Sequence, residues 1–274
     1  MAITATDVAK LRKMTGAGMM DCKKALEEAN GDFERAQDLI RERGKLIASK
    51  RADREATEGA VIAKTTADGK FGAAICLNCE TDFVAKNADF VGLAESILDL
   101  AIEKRPANLE ELLALNLNGL SIADLVTEKS GVTGEKLGIS FYGKLEDNFV
   151  IPYIHMNKKL ATLVSFSKVI NTEVAKDIAM QVAAMNPVAL DKSSTPAEVV
   201  EKELQIAKEQ LRLEGKAEDM IEKIAPGKLN KFFKDNTLMA QDFIKDAKMS
   251  VEAYLKSADA EAKVTGFLRW SLND

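Results

Sequence analysis

Histidine, tryptophan, cysteine and proline are all scarce in this chain, with one His, one Trp, three Cys and five Pro among 274 residues. A lone histidine, His155, thins the field of acid–base enzymes, and no serine–histidine–acid order or paired-carboxylate setting accompanies it. Three cysteines are an odd, sparse set that disfavours a disulfide scaffold and fits a reducing cytosol. No apolar run approaches the roughly 18 residues that a membrane span needs, so no membrane partner is expected. The opening Met1-Ala2-Ile3-Thr4-Ala5-Thr6-Asp7 lacks a basic region followed by a hydrophobic stretch, so no secretory leader is visible and a cytoplasmic location is expected. Neither GxxxxGK[ST] nor GxGxxG occurs, and Gly16-Ala17-Gly18 is too short to cradle a phosphate, so no nucleotide or other cofactor is expected. With 43 acidic against 38 basic residues the net charge is −5, and overall electrostatic attraction to nucleic acid is excluded.

What remains is ordinary globular composition, 46% hydrophobic and 30% charged, with enough length for one to three domains. The charge is uneven. Residues 1–54 carry 12 Lys/Arg and 9 Asp/Glu, a net of +3, which leaves −8 for the other 220. This front piece reads as three short helices. Thr4 and Asp7 form a capping-box start, and Val8, Leu11 and Met14 follow at helical spacing. Gly16 and Gly18 interrupt the pattern. A second helix carries Cys22, Ala25, Leu26 and Ala29, and a third runs from about Asp32 to Gly44. A charged stretch, Lys45 to Glu58, follows as a helical or extended linker.

Beyond Gly59 the period changes to 2. Ala60–Ala63 and Gly72–Leu77 flank Asp68-Gly69, a two-residue hairpin signal. A helix follows through Phe90, Leu93, Ile97 and Ala101 to Pro106, and the leucine groups of 107–138 read as short helices. Phe141–Leu145 and Phe149–Ile154 then read as strands around Glu146-Asp147-Asn148, with a third at Leu160–Phe166 and a helix through Val174, Ile178 and Val182 to Pro187. Strands, helix and proline thus occur twice, which suggests two related α+β halves. Residues 196–235 read as an antiparallel helical hairpin turning at Gly215, with Leu204, Ala207 and Leu211 on one face and Val199, Ile206 and Leu213 stepping by sevens. Its apolar stripe exceeds what two helices need for each other, so a second molecule could pack there. Val264–Trp270 reads as a strand returning to the second half.

Cys76 and Cys79 are the first candidates for chemistry. A zinc site needs four ligands, and only Cys22 and His155 could join them. On a strand, moreover, positions i and i+3 point to opposite faces. A redox pair needs its first cysteine at a helix N-terminus, which the strand contradicts. Ordinary, half-buried cysteines are therefore expected, and no metal ligands. His155 is expected in a structural or partner-contact role. Glu80-Thr81-Asp82-Phe83 stands where a buried strand gives way to a helix that Thr81 or Asp82 could cap. Phe83 either staples into the protein's own core or forms, with Asp82, an exposed acid–aromatic pair that inserts into a partner.

Several segments resemble the translation elongation factor Ts family. Thr15-Gly16-Ala17-Gly18-Met19-Met20-Asp21-Cys22-Lys23-Lys24-Ala25-Leu26 is similar to its amino-terminal signature, and Cys79-Glu80-Thr81-Asp82-Phe83-Val84-Ala85-Lys86 to its second. Ile178–Ala184, Val199–Glu203 and Val264–Arg269 match in the same order, so the likeness covers essentially the whole chain. The resemblance implies an α+β fold with small antiparallel sheets: a ubiquitin-associated-like three-helix module with a basic linker at 1–54, core subdomains at 55–140 and at 141–195 with 236–274, and an inserted antiparallel coiled-coil hairpin at 196–235. It implies a guanine-nucleotide exchange factor without covalent chemistry, whose partner is the GTPase elongation factor Tu. Asp82 and Phe83 would be the wedge that disturbs the GTPase's Mg²⁺ and phosphate site. Arg12, Met19, Met20 and Lys23 would dock on the GTPase; local core packing is the lesser alternative for Met19 and Met20, which directly follow a glycine turn. Gln181, standing where some members carry His, would be a further contact with the partner, and the Tyr153–Asn157 loop, with His155, would reach another partner domain. A homodimer or a 2:2 complex through the hairpin stays open. Some members continue into a further helical module, whereas this sequence stops at Asp274. Two other classes compete: a redox protein using Cys76 and Cys79, and a scaffold without exchange activity.

Overall fold

The structure, a computed structural model, describes residues 3–272. The first two residues of the stretch read for a leader, and the final Asn273 and Asp274, lie outside them. Its amino-terminal part is three helices, α1 (Ala5–Thr15), α2 (Met19–Glu28) and α3 (Phe33–Lys50). Thr4 and Asp7 form the reciprocal capping box: the Asp7 N–H donates to Thr4 Oγ1 at 3.2 Å and the Thr4 N–H to Asp7 Oδ2 at 3.0 Å. Gly16 ends α1 in the left-handed region at φ +72°, its N–H donating to the Arg12 carbonyl at 2.7 Å. Asp32 caps α3 by accepting from the N–H groups of Glu34 and Arg35. Leu11, Cys22, Leu26, Ala36 and Leu39 fill the small core between the three.

Two antiparallel sheets form the body. The first is β1 (Glu58–Thr65), β2 (Phe71–Cys79) and β5 (Gly138–Glu146), with β2 in the middle. Between β2 and β5 lie α4 (Asp82–Ala85), α5 (Ala88–Lys104), α6 (Leu109–Ala114), a small ribbon of β3 (Asn116–Leu117) and β4 (Leu120–Ser121), and α7 (Ile122–Thr133). The second sheet is β6 (Phe149–Ile154), β7 (Leu160–Phe166) and β10 (Val264–Ser271), with β7 central. Between β7 and β10 come α8 (Thr172–Met185), α9 (Ala197–Leu213), α10 (Glu218–Asn236), the ribbon β8 (Asp242–Phe243) and β9 (Asp246–Ser250), and α11 (Val251–Ala258). The architecture is therefore mixed helix and small antiparallel sheet, as an α+β reading requires.

The repeat is closer than strand spacing suggests. Each half is a hairpin, a helix, a helical excursion and a third strand that returns beside the second. This corrects one expected pairing: 141–145 and 149–154 do not form a hairpin. Cys76 pairs with Phe141 and Ile75 with Tyr142, so β5 closes the first sheet and 147–148 cross from one sheet to the other. The first hairpin also differs in its turn. Thr65 pairs with Gly72 and the Thr66 N–H reaches the Phe71 carbonyl, so residues 67–70 make the connection rather than Asp68-Gly69 alone.

The two sheets pack face to face. Val61, Ala63, Ala74 and Cys76 of the first meet Val150, Ala161 and Leu163 of the second, and Trp270 stacks on Phe141 with ring centroids 4.2 Å apart. The other face of the first sheet, with Ile75, Leu77 and Cys79, packs on Phe90, Ala94 and Ile97 of α5. The outer face of the second packs on Ile178, Ala179 and Val182 of α8. Every residue of β2 is consequently buried, as a central strand covered on both faces must be. Among the described residues no helix is long and apolar enough to cross a membrane.

In the α9–α10 hairpin Leu204, Ala207 and Leu211 pack on Ile221, Ile224 and Ala225. Lys208–Glu222 at 2.7 Å and Arg212–Glu218 at 2.8 Å give the antiparallel sense. The heptad-spaced Ile206 and Leu213 lie outside that seam and are exposed.

The third helix does not stop at Gly44. It runs on to Lys50 because Gly44 is where α3 crosses α7, and the crossing is tight: a Cβ on Gly131 would lie 2.1 Å from Gly44 Cα. Arg41 pairs with Glu128 at 2.7 Å beside it. A Cβ on Gly44, by contrast, would meet Gly131 Cα at an ordinary 3.5 Å. Gly131→Ala is therefore expected to destabilise the protein by about 1–3 kcal/mol through overpacking. Gly44→Ala should be neutral or stabilising by up to about 1 kcal/mol, from helix propensity. Thermal unfolding of both variants measures the difference.

Candidate functional site

Strand β2 ends at Cys79, and two residues later the backbone must turn into α4. The N–H groups at that turn have no ladder partner, and a carboxylate from elsewhere in the chain supplies one. Glu135, between α7 and β5, accepts from the N–H groups of Glu80 at 3.0 Å and Thr81 at 3.1 Å, and from Thr81 Oγ1 at 2.5 Å. The exchange is reciprocal, since Glu80 Oε1 accepts from the Lys136 N–H at 2.6 Å. Arg51, capping the end of α3, reaches both oxygens of Glu80 at 2.9 and 2.8 Å. Lys136 Nζ in turn donates to the carbonyls of Ala52 and Arg54. Three segments distant in sequence, 51–54, 80–81 and 135–136, thus meet at two carboxylates.

Helix α4 stands on this knot. Val84 and Ala85 pack against the core of the first sheet, whereas Phe83 projects away with 85% of its surface exposed. Phe83 is thus not a staple into the protein's own core. The expected side-chain cap is absent: Thr81 occupies the N-cap position, but its hydroxyl is turned to Glu135, and Asp82 instead accepts from Lys86 Nζ at 2.6 Å. The Lys86 hydrogen bond and charge hold the Asp82 carboxyl below its ordinary value, with a smaller contribution from Lys159.

The β6–β7 loop lies against the same end of the first sheet. Lys159 Nζ pairs with Glu58 at 2.8 Å, and Glu58 lies opposite Cys79 in the strand register. The Lys158 carbonyl accepts from the Val61 N–H at 2.7 Å. The loop is thereby fixed to the first sheet, and it presents His155 and Met156, the latter 94% exposed. Tyr153 Oη lies 3.1 Å from His155 Nδ1 and orients the ring.

On the amino-terminal helices, Arg12, Met19, Met20 and Lys23 are all exposed. Met19 and Met20 contribute nothing to the local core, which is built from Cys22, Ala25 and Leu26 of the same helix. Lys23 makes a solvent-exposed pair with Glu27 at 3.7 Å, worth little in itself. Arg12 lines a cleft of about 340 Å³ together with Val84, Asn87, Phe90 and Lys129, so it approaches the root of α4.

Gln181 is not part of this surface. It is fully buried under the 236–250 segment. Its Nε2 donates to Gln241 Oε1 and to the Asp242 carbonyl, both at 3.2 Å, and its Oε1 accepts from the Ile244 N–H at 2.9 Å. In this structure Gln181 is therefore an internal joint, its amide bonded to Gln241, the Asp242 carbonyl and the Ile244 N–H. The residues that sequence reading missed are Arg51, Glu58, Glu135, Lys136 and Lys159. Each is one charged side chain among many, and only tertiary pairing distinguishes it.

The cysteines also differ from expectation in degree. Cys76 and Cys79 do face opposite sides of β2, in separate cores, but both are wholly buried rather than half-buried. Burial raises the thiols of Cys22, Cys76 and Cys79, the last to about 12, where Glu135 and Glu58 add to the effect.

All three thiols should resist an aromatic disulfide reagent at about pH 8 and react only once denaturant is added, which absorbance of the released thiolate measures. A second expectation concerns Glu80. Its carboxyl lies below the ordinary 4.5, chiefly because the Lys136 N–H donates to the ionised form, and further because of Arg51. A depressed pKa stabilises the fold above the unfolded value, and that stabilisation is lost as pH falls through the folded value. Glu80→Gln should therefore cost roughly 1.5–3 kcal/mol at neutral pH. The gap to wild type should narrow below pH 4.5, as urea unfolding at about pH 7 and about pH 3 would show.

Residues 80–274, which hold α4 and the β6–β7 loop but not the amino-terminal helices, match the family described as Elongation factor TS. The chain is also 54% identical over 272 residues to Elongation factor Ts of Flavobacterium psychrophilum, covering 98% of each chain. It is 50% identical over 274 residues to Elongation factor Ts of Porphyromonas gingivalis, covering 100% of this chain and 99% of that one. A relative from Christiangramia forsetii is 50% identical over 272 residues, covering 98% of each. With half of its residues shared along its whole length, the chain belongs to the elongation factor Ts family.

Proposed function

We propose that this protein is a guanine-nucleotide exchange factor for elongation factor Tu, promoting GDP release during translation elongation. The observation that carries the reading is an 85% exposed phenylalanine on a helix whose root is clamped by charged hydrogen bonds. A large apolar side chain held out into water by a rigid support is suited to enter another protein, and the support keeps it from folding back. Asp82 and Phe83 form the wedge. Arg12, Met19, Met20 and Lys23 dock on the GTPase, and His155 and Met156 reach a further part of it. Under this reading the three amino-terminal helices are a ubiquitin-associated-like docking module, and the α9–α10 hairpin is a coiled-coil insertion on which a second copy or a 2:2 assembly packs.

The mechanism is coupled binding and makes or breaks no covalent bond. A factor that weakens GDP binding must itself be weakened by GDP to the same extent, since linkage is reciprocal. A bound nucleotide depends on a phosphate cradle and on Mg²⁺ held by switch residues of the GTPase. A wedge that shifts the helices beside that site disturbs both together. Burying Phe83 contributes about 1.5–3 kcal/mol, and about 1.4 kcal/mol is tenfold in an equilibrium constant. One ring therefore accounts for about tenfold to hundredfold, and the remainder comes from the wider interface. Methionine suits that interface because its unbranched side chain repacks against an uneven partner.

Release of a fluorescent GDP analogue from elongation factor Tu tests this directly. The wild type should accelerate release, and Phe83→Ala should lose about tenfold to hundredfold of that acceleration with its fold intact. No acceleration by the wild type would sink the exchange reading. Equal acceleration by the variant would sink only the wedge.

A further inference from the structure

We propose that Glu135 is a positioning residue for nucleotide exchange: its carboxylate fixes the turn at Glu80 and Thr81 from which the Phe83 helix springs, without itself touching the partner's nucleotide site. The proposal rests on the exchange reading above and names the residue that makes its wedge rigid.

Helix α4 has little of its own to hold it. It is four residues long, buries no side chain fully and has no side-chain cap. An isolated turn of helix this short does not persist in water, because nucleation fixes several residues for a single hydrogen bond. Phe83 gives no anchorage, since it faces solvent. The internal Asp82–Lys86 pair ties only one end of the turn to the other. Val84 and Ala85 rest on the first core, and what ties the start of the turn to the body is Glu135, whose three carboxylate bonds all go to residues 80 and 81, immediately before the wedge. One oxygen takes two neighbouring backbone N–H groups and the other takes the Thr81 hydroxyl. Charged acceptors bind such donors more strongly than neutral ones. The carboxylate also fixes direction, because two adjacent N–H groups converge on one oxygen only over a narrow range of backbone angles.

The Glu80 side chain extends the same support. Its carboxylate joins the Lys136 N–H to Arg51 at the end of α3. The Phe83 helix and the amino-terminal helices are therefore set from one pair of adjacent residues, 135 and 136. A docking contact on the amino-terminal helices and the wedge would engage a partner in fixed relation to each other.

The test uses the full-length protein with elongation factor Tu and a fluorescent GDP analogue. Glu135→Ala should slow the maximal release rate about tenfold to hundredfold, the order expected when a reacting element is misplaced by about an ångström. The concentration of factor giving half the maximal rate should change far less. Glu135→Gln should restore release to within a few-fold of wild type, because its amide oxygen still accepts the two N–H groups and its NH₂ can donate to the Thr81 hydroxyl. In the double variant Phe83→Ala with Glu135→Ala, release should be no slower than in Phe83→Ala alone, since Glu135 acts through Phe83. A merely structural role would instead add its loss to that of Phe83. Should Glu135→Ala fail to fold, amide hydrogen exchange on the wild type decides: the Glu80 and Thr81 amides should be protected, and exchange at the free-peptide rate overturns the proposal. Full acceleration by Glu135→Ala, or additive losses in the double variant, also overturns it. A wild type without exchange activity overturns the exchange reading itself, and is thereby told apart from a failure of Glu135 alone.

Discussion

Two carboxylates, Glu80 and Glu135, tie together three segments that lie far apart in the sequence. Each accepts a backbone N–H from the other's neighbourhood, and Arg51 and Lys136 complete the knot with contacts to the end of the amino-terminal helices. Partly shielded charge makes these bonds stronger than exposed ion pairs, while the donors they satisfy would otherwise be lost at a buried strand's end. The consequence is spatial. The end of β2, the start of α4 and the exit of α3 are set relative to one another by a few atoms, and the most exposed aromatic ring stands directly on them.

Around that knot the body is built on a repeated plan. Each half pairs a hairpin with a helix and later recovers a third strand, and the two sheets share an interior in which Phe141 stacks on Trp270. Because β2 is covered by α5 on one side and by the second sheet on the other, its cysteines are sealed in separate cores. The same enclosure explains why the Cys76 and Cys79 spacing carries no shared chemistry.

Elements whose pattern is local were legible in the sequence. The three amino-terminal helices follow from Thr4 with Asp7, the glycines at 16 and 18, and regular apolar spacing; the paired strands and the helices through Phe90 and Ile178 follow from changes of period. Asp82 and Phe83 were legible as a candidate because an aromatic residue stood at a strand-to-helix junction. What was not legible depends on long-range pairing. Gly44 carries the sign of a helix end, yet it serves a helix crossing whose other member is Gly131. The strand at 138–146 has the same alternation whichever neighbour it takes, so nothing local assigns it to the first sheet. Gln181 fits a surface position as well as a buried one until the segment 236–250, which has no strong period, is seen to cover it. Glu135 is one acid among 43, and its role exists only once the end of β2 lies beside it.

The late return of both third strands has a consequence for synthesis. The first sheet has all its strands once residue 146 has emerged, whereas β7 waits about a hundred residues for β10, through α8, the helical hairpin and α11. At translation rates of about 5–20 residues per second, that interval lasts about 5–20 seconds, during which one edge of β7 has no partner. Exposed strand edges invite pairing with other chains. The helical excursion that enlarges the second half thus also lengthens the time for which a nascent chain carries an open β edge.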